Sequence, residues 1–362
     1  MSILIFIVVI VVLIIVHEFG HFAAAKISGM RVDEFGLGYP PRALIITKRG
    51  ETLYTINWLP FGGFVKIFGE DGEAAGPRAF SRRPRIAQAL VLLAGIAMNL
   101  LFAYVLITGA LIAGTPRALS GTEVATAHNT QLAVASILPD TPAAAAGLLA
   151  GDVIVSAKDP TGQWRAADPE SFSAFVAQSD GSAILLELER NGQIQTIKAT
   201  PAEGVVANDP FRYALGVEVA TIGVAPLSFG AAITEGASLT LSATMLTAVG
   251  LWHFFYGVFT LSANLSQVAG PVGIASVVGS ASAQGIGDLL SIMALISINL
   301  ALINLIPIPA LDGGRLLFVI IESVIRRPIK PSVAHTINSI GFVFLVLLMV
   351  VVTAHDILKI IG

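Results

Sequence analysis

The chain has 362 residues, of which 55% are hydrophobic and only 12% are charged, and its mean hydropathy is +0.81. This composition excludes an ordinary soluble enzyme and indicates an integral membrane protein in contact with a lipid bilayer. No nucleic-acid partner is expected, although the net charge of −3 has no bearing on this point. The absence of cysteine means that any metal must be held by His and carboxylate.

The first predicted element is a membrane-spanning helix over about 24 residues, roughly 36 Å long against a bilayer core of roughly 30 Å. It contains His17, Glu18 and His21, an H-E-x-x-H motif that places both imidazoles on one face, where they can bind one metal ion. Glu18 is suited to take a proton from a metal-bound water. A signal peptide or a chance match would be the alternative, but three ionisable groups within a span are costly and indicate function.

Residues 26–85 carry ten Lys and Arg residues, so the positive-inside rule predicts that this segment is cytoplasmic and that the amino terminus is outside. Residues 52–58 and 63–67 have strand character and are separated by residues 59–62. We expect them to form a hairpin at the membrane face beside the metal, where an exposed edge could pair with an extended substrate. An ordinary surface hairpin fits the spacing equally well.

A second span is predicted over residues 86–113, with the polar Asn99 facing the bundle as a packing amide or as part of the site. Residues 114–226 then have a soluble composition, with twelve acidic and six basic residues, which suits the outer side of the membrane. Their order of strand, Ala-rich helix, G-L-x-x-G-D turn and strand resembles a PDZ domain with a core at about 122–203, although a purely structural domain is the alternative.

Residues 237–261 contain no formal charge and would pass a hydropathy test for a span. If they crossed the membrane, however, the basic residues 326, 327 and 330 would lie outside, against the positive-inside rule. We therefore expect residues 227–288 to form amphipathic helices along the outer leaflet. This arrangement predicts about four transmembrane helices in the whole chain.

The last predicted region, residues 289–362, is a C-terminal membrane domain with two spans. Pro307, Pro309 and two glycines must break the first of them, and the break presents Asp312 to the bundle interior. Both candidate metal motifs lie towards the cytoplasmic ends of their spans, so Asp312 can meet the two histidines at one depth. Two His and one carboxylate leave a fourth zinc position for water, which is typical of a catalytic site.

Taken together, these motifs resemble the site-2 protease family of intramembrane zinc metalloproteases, of the bacterial regulator-of-sigma-E type. The matching segments are residues 17–21, 62–66, 270–275 and the N-x-x-P-x-P-x-L-D-G motif at 304–313. The resemblance implies that Glu18 is the general base, that Zn²⁺ is bound by His17, His21 and Asp312, and that an unwound substrate is held by Asn304, Pro307, Pro309, Gly62, Gly63 and Phe64.

The resemblance also implies the biological setting. The expected substrates are single-span membrane proteins, such as anti-sigma factors after a first cut or signal-peptide remnants, cleaved in the bacterial inner membrane with the PDZ domain on the periplasmic side. The PDZ domain would bind peptide termini and exclude uncut substrates. This chain has room for only one such domain, and residues 94–99 lack the proline of a G-P-x-x-N-like element. A transporter and a catalytically silent PDZ receptor or chaperone are the rival functions.

Overall fold

A computed structural model of the chain describes residues 2–70, 76–119, 121–124, 127–165, 167–190, 192–206, 209–225, 227–260, 262 and 269–361. The chain divides into two units, one made of residues 1–113 and 228–362 and the other of residues 114–227. In the described ranges the α-helices are, in chain order, α1 Ser2–Ile27, α2 Arg85–Ala113, α3 Gly121–Val124, α4 Pro142–Ala146, α5 Pro169–Gln178, α6 Phe229–Phe259, α7 Pro271–Gln284, α8 Ile286–Leu305, α9 Asp312–Ile325 and α10 Pro331–Ile361. The strands are β1 Val32–Arg49, β2 Thr52–Ile67, β3 Pro116–Ala118, β4 His128–Ile137, β5 Val153–Lys158, β6 Gln163–Trp164, β7 Ile184–Arg190, β8 Gln193–Ala199 and β9 Val217–Val224.

The first unit is built from long apolar helices, as expected for a membrane protein. Five helices of the described chain are long and apolar enough to cross a bilayer: α1, α2, α6, α8 and α10. The sequence predicts about four crossings, with residues 227–288 as amphipathic outer-leaflet helices. In the structure this region contains α6, one helix of 31 residues without proline, and the separate helix α7.

The hairpin of the first unit differs from its predicted form. Residues 52–58 and 63–67 do not pair with each other, because both belong to the single strand β2. Its antiparallel partner is β1, in a register that runs from Val32 opposite Ile67 to Arg49 opposite Thr52. The turn is at Gly50, whose φ of 60° favours glycine. β1 was missed because its Gly- and Pro-rich sequence is typical of a loop.

The predicted helix break in the C-terminal domain is present. α8 ends at Leu305, residues 306–311 are non-helical, and α9 begins at Asp312. Gly313 and Gly314 lie against backbone carbonyl oxygens of the break, since a Cβ on either would come within 2.3 Å of the carbonyl oxygen of Ile306 or Ile308. The two glycines therefore let the first turn of α9 fold back against the break.

The second unit is an α+β domain. Its sheet has the strand order β3-β9-β4-β5-β7-β8, with β6 paired to β5. Six of its elements follow the order that the sequence predicts for a PDZ core: β4, α4, β5, α5, β7 and β8. β9 lies beyond the predicted core of 122–203, yet it pairs with both β3 and β4 inside the sheet. Buried side chains from these strands and from α4 and α5 form the core, among them Leu132, Phe172 and Leu186.

Candidate metal centre

Three of the predicted site residues meet at one point in the first unit. The Nε2 atoms of His17 and His21 are 3.1 Å apart, and Oδ2 of Asp312 lies 3.0 Å from the first and 3.1 Å from the second. Both histidines are buried and come from consecutive turns of α1, whereas Asp312 is the first residue of α9. The structure therefore brings together residues separated by almost 300 positions in the chain.

The imidazole of His21 is oriented by the backbone of α2. Its Nδ1 is 2.8 Å from the carbonyl oxygen of Val91, and because a carbonyl can only accept, Nδ1 must carry the proton. The neutral ring then has its lone pair on Nε2, the atom that faces Asp312 and His17. On the other ring, Nδ1 of His17 faces the side-chain amide of Asn99 at 3.2 Å.

These atoms fit a zinc ion. Zinc bonds of 2.0–2.1 Å in a tetrahedral site separate neighbouring ligand atoms by about 3.3 Å, close to the observed 3.0 and 3.1 Å. Two imidazole nitrogens and one carboxylate oxygen are donors that zinc prefers. With only three protein ligands, such a site leaves one position for water or substrate.

The close approach of α1 and α2 depends on two glycines. A Cβ on Gly20 would lie 2.3 Å from the carbonyl oxygen of Ala94, and a Cβ on Gly95 would lie 2.5 Å from Nε2 of His21. Small residues allow membrane helices to approach closely, and here they let α2 pack directly against the two histidines. Gly95 was not predicted as a site residue. The small residues around it in the sequence were the available signal.

Glu18 lies beside the three clustered side chains. Its carboxylate interacts electrostatically with His21, His17 and Asp312. On its other side, a Cβ on Gly63 of β2 would be 3.4 Å from Cγ of Glu18 and 3.2 Å from the carbonyl oxygen of Gly36. The hairpin thus passes within van der Waals distance of Glu18 at a predicted substrate-binding residue.

The other predicted substrate-binding residues lie on two elements next to the site. Gly62 and Phe64 flank Gly63 in β2, and the ring of Phe64 covers the backbone of Gly36. Asn304 is half-buried in the last turn of α8, and Pro307 and Pro309 lie in the break that leads to Asp312.

Comparison with known proteins finds one family and several full-length relatives for this chain. The model of a family described as Peptidase family M50 matches residues 5–348. A Clostridium perfringens protein, named provisionally as a zinc metalloprotease, is 34% identical over 347 residues, covering 96% of this chain and 95% of its own. Zinc metalloprotease RasP of Shouchella clausii is 28% identical over 442 residues, covering 99% of each chain.

Solved structures that resemble part of the chain include a PDZ domain. It is the PDZ domain of an SdrC-like protein from Listeria monocytogenes, with 17% identity, a TM-score of 0.21, and coverage of 24% of this chain and 85% of that one. A TM-score of this size does not establish a common fold.

Proposed function

The chain belongs to peptidase family M50 and is a zinc metalloprotease, and from this premise we propose that it hydrolyses peptide bonds inside membrane-spanning segments of its substrates. The observation that carries the proposal is the position of the candidate metal centre. His17 and His21 lie in the second half of α1, a helix of 26 residues that is apolar enough to cross a bilayer. A peptide bond that reaches these residues must itself be at the depth of the membrane helices.

In this proposal His17, His21 and Asp312 are the zinc ligands and Glu18 is the general base. Zinc, when bound, supplies a water whose pKa falls to about 7 and polarises the carbonyl of the bond to be cut. Glu18 accepts the proton of the attacking water and later delivers it to the amine that leaves. Glu18 is half-buried, and its Cγ lies 3.4 Å from a Cβ built on Gly63.

A substrate helix must unwind before it can be cut, because its carbonyls are satisfied by internal hydrogen bonds. The β1–β2 hairpin passes beside Glu18 at Gly63. Extended peptides are commonly bound by addition of a strand to the edge of such a sheet. We assign the edge at Gly62, Gly63 and Phe64 to binding the unwound segment as an added strand. Asn304, Pro307 and Pro309, in or next to the α8–α9 break, are proposed to contact the same segment.

We further propose a bacterial inner-membrane location with the metal centre towards the cytoplasm and residues 114–227 on the periplasmic side, as the distribution of basic residues favours. The substrates are single-span proteins already shortened by another protease, including anti-sigma factors and signal-peptide remnants. The second unit is proposed to be a PDZ domain that binds the new peptide termini and excludes bulky substrates.

The test is cleavage of a single-span substrate by the purified chain in detergent, comparing the unsubstituted protein with Glu18→Gln and measuring zinc in both. We expect Glu18→Gln to lose at least about 100-fold of the cleavage rate while retaining its zinc, since the carboxylate moves the proton and does not bind the metal. Glu235→Gln, an exposed glutamate on α6, is the matched control and should cleave normally. Equal cleavage by Glu18→Gln would refute the assignment of the base, and zinc-loaded protein with no cleavage of any spanning substrate would favour the silent receptor.

A further inference from the structure

Asn99 lies next to the metal centre without a role so far. It is completely buried in α2, and its Nδ2 is 3.2 Å from Nδ1 of His17. Its Oδ1 is buried without a hydrogen-bond partner among the described residues. Buried polar atoms are nearly always hydrogen-bonded, so an orphaned amide oxygen at this position requires an explanation.

We propose that Asn99 is a positioning residue for His17, whose side-chain oxygen accepts a hydrogen bond from Nδ1 and so keeps Nε2 free to bind zinc. The inference rests on the proposed ligand set. If neutral His17 binds zinc through Nε2, its proton must be on Nδ1, and the group facing Nδ1 must then be an acceptor. Of the two ends of the Asn99 amide, only the oxygen can accept.

The required arrangement is reached by a half-turn of the amide, which exchanges two groups of nearly equal size and shape. The orphaned oxygen gains the bond to His17 and loses none, because it has no partner to give up in the described structure. The backbone of Asn99 is held independently, since Oγ of Ser297 on α8 donates to its carbonyl oxygen at 2.8 Å. The side chain can therefore turn without moving the helix.

The arrangement on α2 also gives the two histidines equivalent partners. Val91, Gly95 and Asn99 recur at four-residue intervals and so lie on one stripe of the helix. The Val91 carbonyl accepts from His21, Gly95 leaves space for both rings, and Asn99 faces His17. Each proposed imidazole ligand is thereby given an acceptor for the proton on its outer nitrogen, which sets its tautomer.

The test is zinc affinity, measured in detergent by competition with a chromophoric chelator. We expect Asn99→Leu, which keeps the bulk but has no acceptor, to bind zinc about 10- to 100-fold more weakly. Asn99→Asp has only acceptors and should bind zinc at least as tightly as the unsubstituted chain. Asn299→Leu is the matched control, because the Asn299 amide donates only to Leu295 of its own helix in the described structure, and we expect unchanged affinity.

Two outcomes would overturn the proposal: unchanged affinity in Asn99→Leu, or an Asn99→Asp variant as weak as Asn99→Leu, which would mean that Asn99 acts as a donor or only as packing. Asn99→Asp also decides the question if Asn99→Leu fails to fold.

His17→Ala separates this proposal from the ligand assignment. If His17→Ala retains zinc, the proposed ligand set is wrong. If His17→Ala loses zinc but Asn99→Leu binds zinc normally, the ligand set stands and only the role of Asn99 is rejected. The visible spectrum of the Co²⁺-loaded protein should change in Asn99→Leu and His17→Ala alike.

Discussion

Gly95 shows how much the metal centre depends on the lack of a side chain. A Cβ at this position would be 2.5 Å from Nε2 of His21, 2.7 Å from its Cε1 and 2.9 Å from Cε1 of His17. Real Cβ atoms do not approach other atoms so closely, so either the rings or α2 would have to move. The observed positions of the two imidazoles therefore require a residue without a side chain at position 95.

We expect Gly95→Ala to weaken zinc binding by at least about 10-fold, because the added methyl group displaces an imidazole from its position in the cluster. Chelator competition in detergent measures the change. Gly250→Ala is the control, since Gly250 lies in α6 with no atom within 4 Å of a built Cβ and alanine there favours the helix by about 0.5–1 kcal/mol. Tight zinc binding by Gly95→Ala would show that the two helices can separate without loss of the site.

The non-helical segment between α8 and α9 determines where Asp312 lies. α9 begins directly at Asp312, and the two following glycines pack on the carbonyls of residues 306 and 308. Gly341 of α10 packs on the same segment, since a Cβ there would be 2.4 Å from the carbonyl oxygen of Pro309. The break is thus held from two sides, and these backbone contacts fix the start of α9 at Asp312.

We expect Gly314→Ala to reduce both zinc affinity and cleavage, because a Cβ 2.3 Å from a backbone oxygen forces the start of α9 away from the break and moves Asp312 with it. Zinc content after dialysis against a weak chelator measures the first effect. Gly230→Ala, at a position with open space around it in α6, should retain zinc fully. Retention of zinc by Gly314→Ala would mean that Asp312 does not depend on this contact.

In the second unit, one ion pair connects the turn before β5 to the end of β7. Arg190 donates from Nε and Nη2 to the two oxygens of Asp152 at 2.7 Å each, and from Nη2 to the carbonyl of Gly147 at 2.9 Å. The Arg190 guanidinium and the N–H of Leu149 hold the pKa of Asp152 below its ordinary value. Asp152 is 1% exposed, whereas the side chain of Arg190 is 22% exposed.

A lowered pKa means that the folded state favours the carboxylate. The stabilisation is therefore complete above the ordinary aspartate pKa of about 4 and is lost as the pH falls through the lower folded value. We expect the unfolding temperature of the 114–227 unit to fall as the pH is lowered from 6 into the acid range. In Asp152→Asn the unfolding temperature should fall less over the same range. Glu170→Gln, at an exposed position of α5, should keep the full pH dependence. An unchanged pH profile in Asp152→Asn would remove this pair as its source.

At the scale of the whole molecule, the membrane topology depends on α6. Five helices of the described chain are long and apolar enough to cross a bilayer, but the positive-inside rule favours four crossings with α6 at the outer surface. With four crossings, residues 114–227 and the end of α10 are on the same side. With a fifth crossing by α6, they are on opposite sides.

The absence of native cysteine makes this testable by single substitutions. We expect Gln195→Cys in β8 and Lys359→Cys near the end of α10 to react with a membrane-impermeant thiol reagent from outside intact cells, while Arg327→Cys reacts only after permeabilisation. All three positions are exposed in the structure, so burial does not interfere. Outside labelling at 327 with protection at 359 would show that α6 crosses the membrane.

The sequence by itself indicated that the chain is a membrane protein, and it predicted the candidate metal-binding residues, the helix break and most elements of the second unit. These features depend on local composition and spacing, such as His17 and His21 one turn apart or two prolines within a span. It did not determine the partner of β2, because the glycines and prolines of β1 are typical of a loop and only pairing makes that segment a strand.

The tertiary structure alone decided which residues surround the metal centre. Val91 and Gly95 meet the histidines through a carbonyl oxygen and an absent side chain, which have no metal-binding pattern in the sequence. Asn99 was predicted to face the bundle, but only the packing of α1 against α2 placed its amide beside His17. β9 likewise became part of the sheet only through pairing with strands about a hundred residues earlier. Contacts of this kind arise from the packing of distant segments, and local propensity carries no information about them.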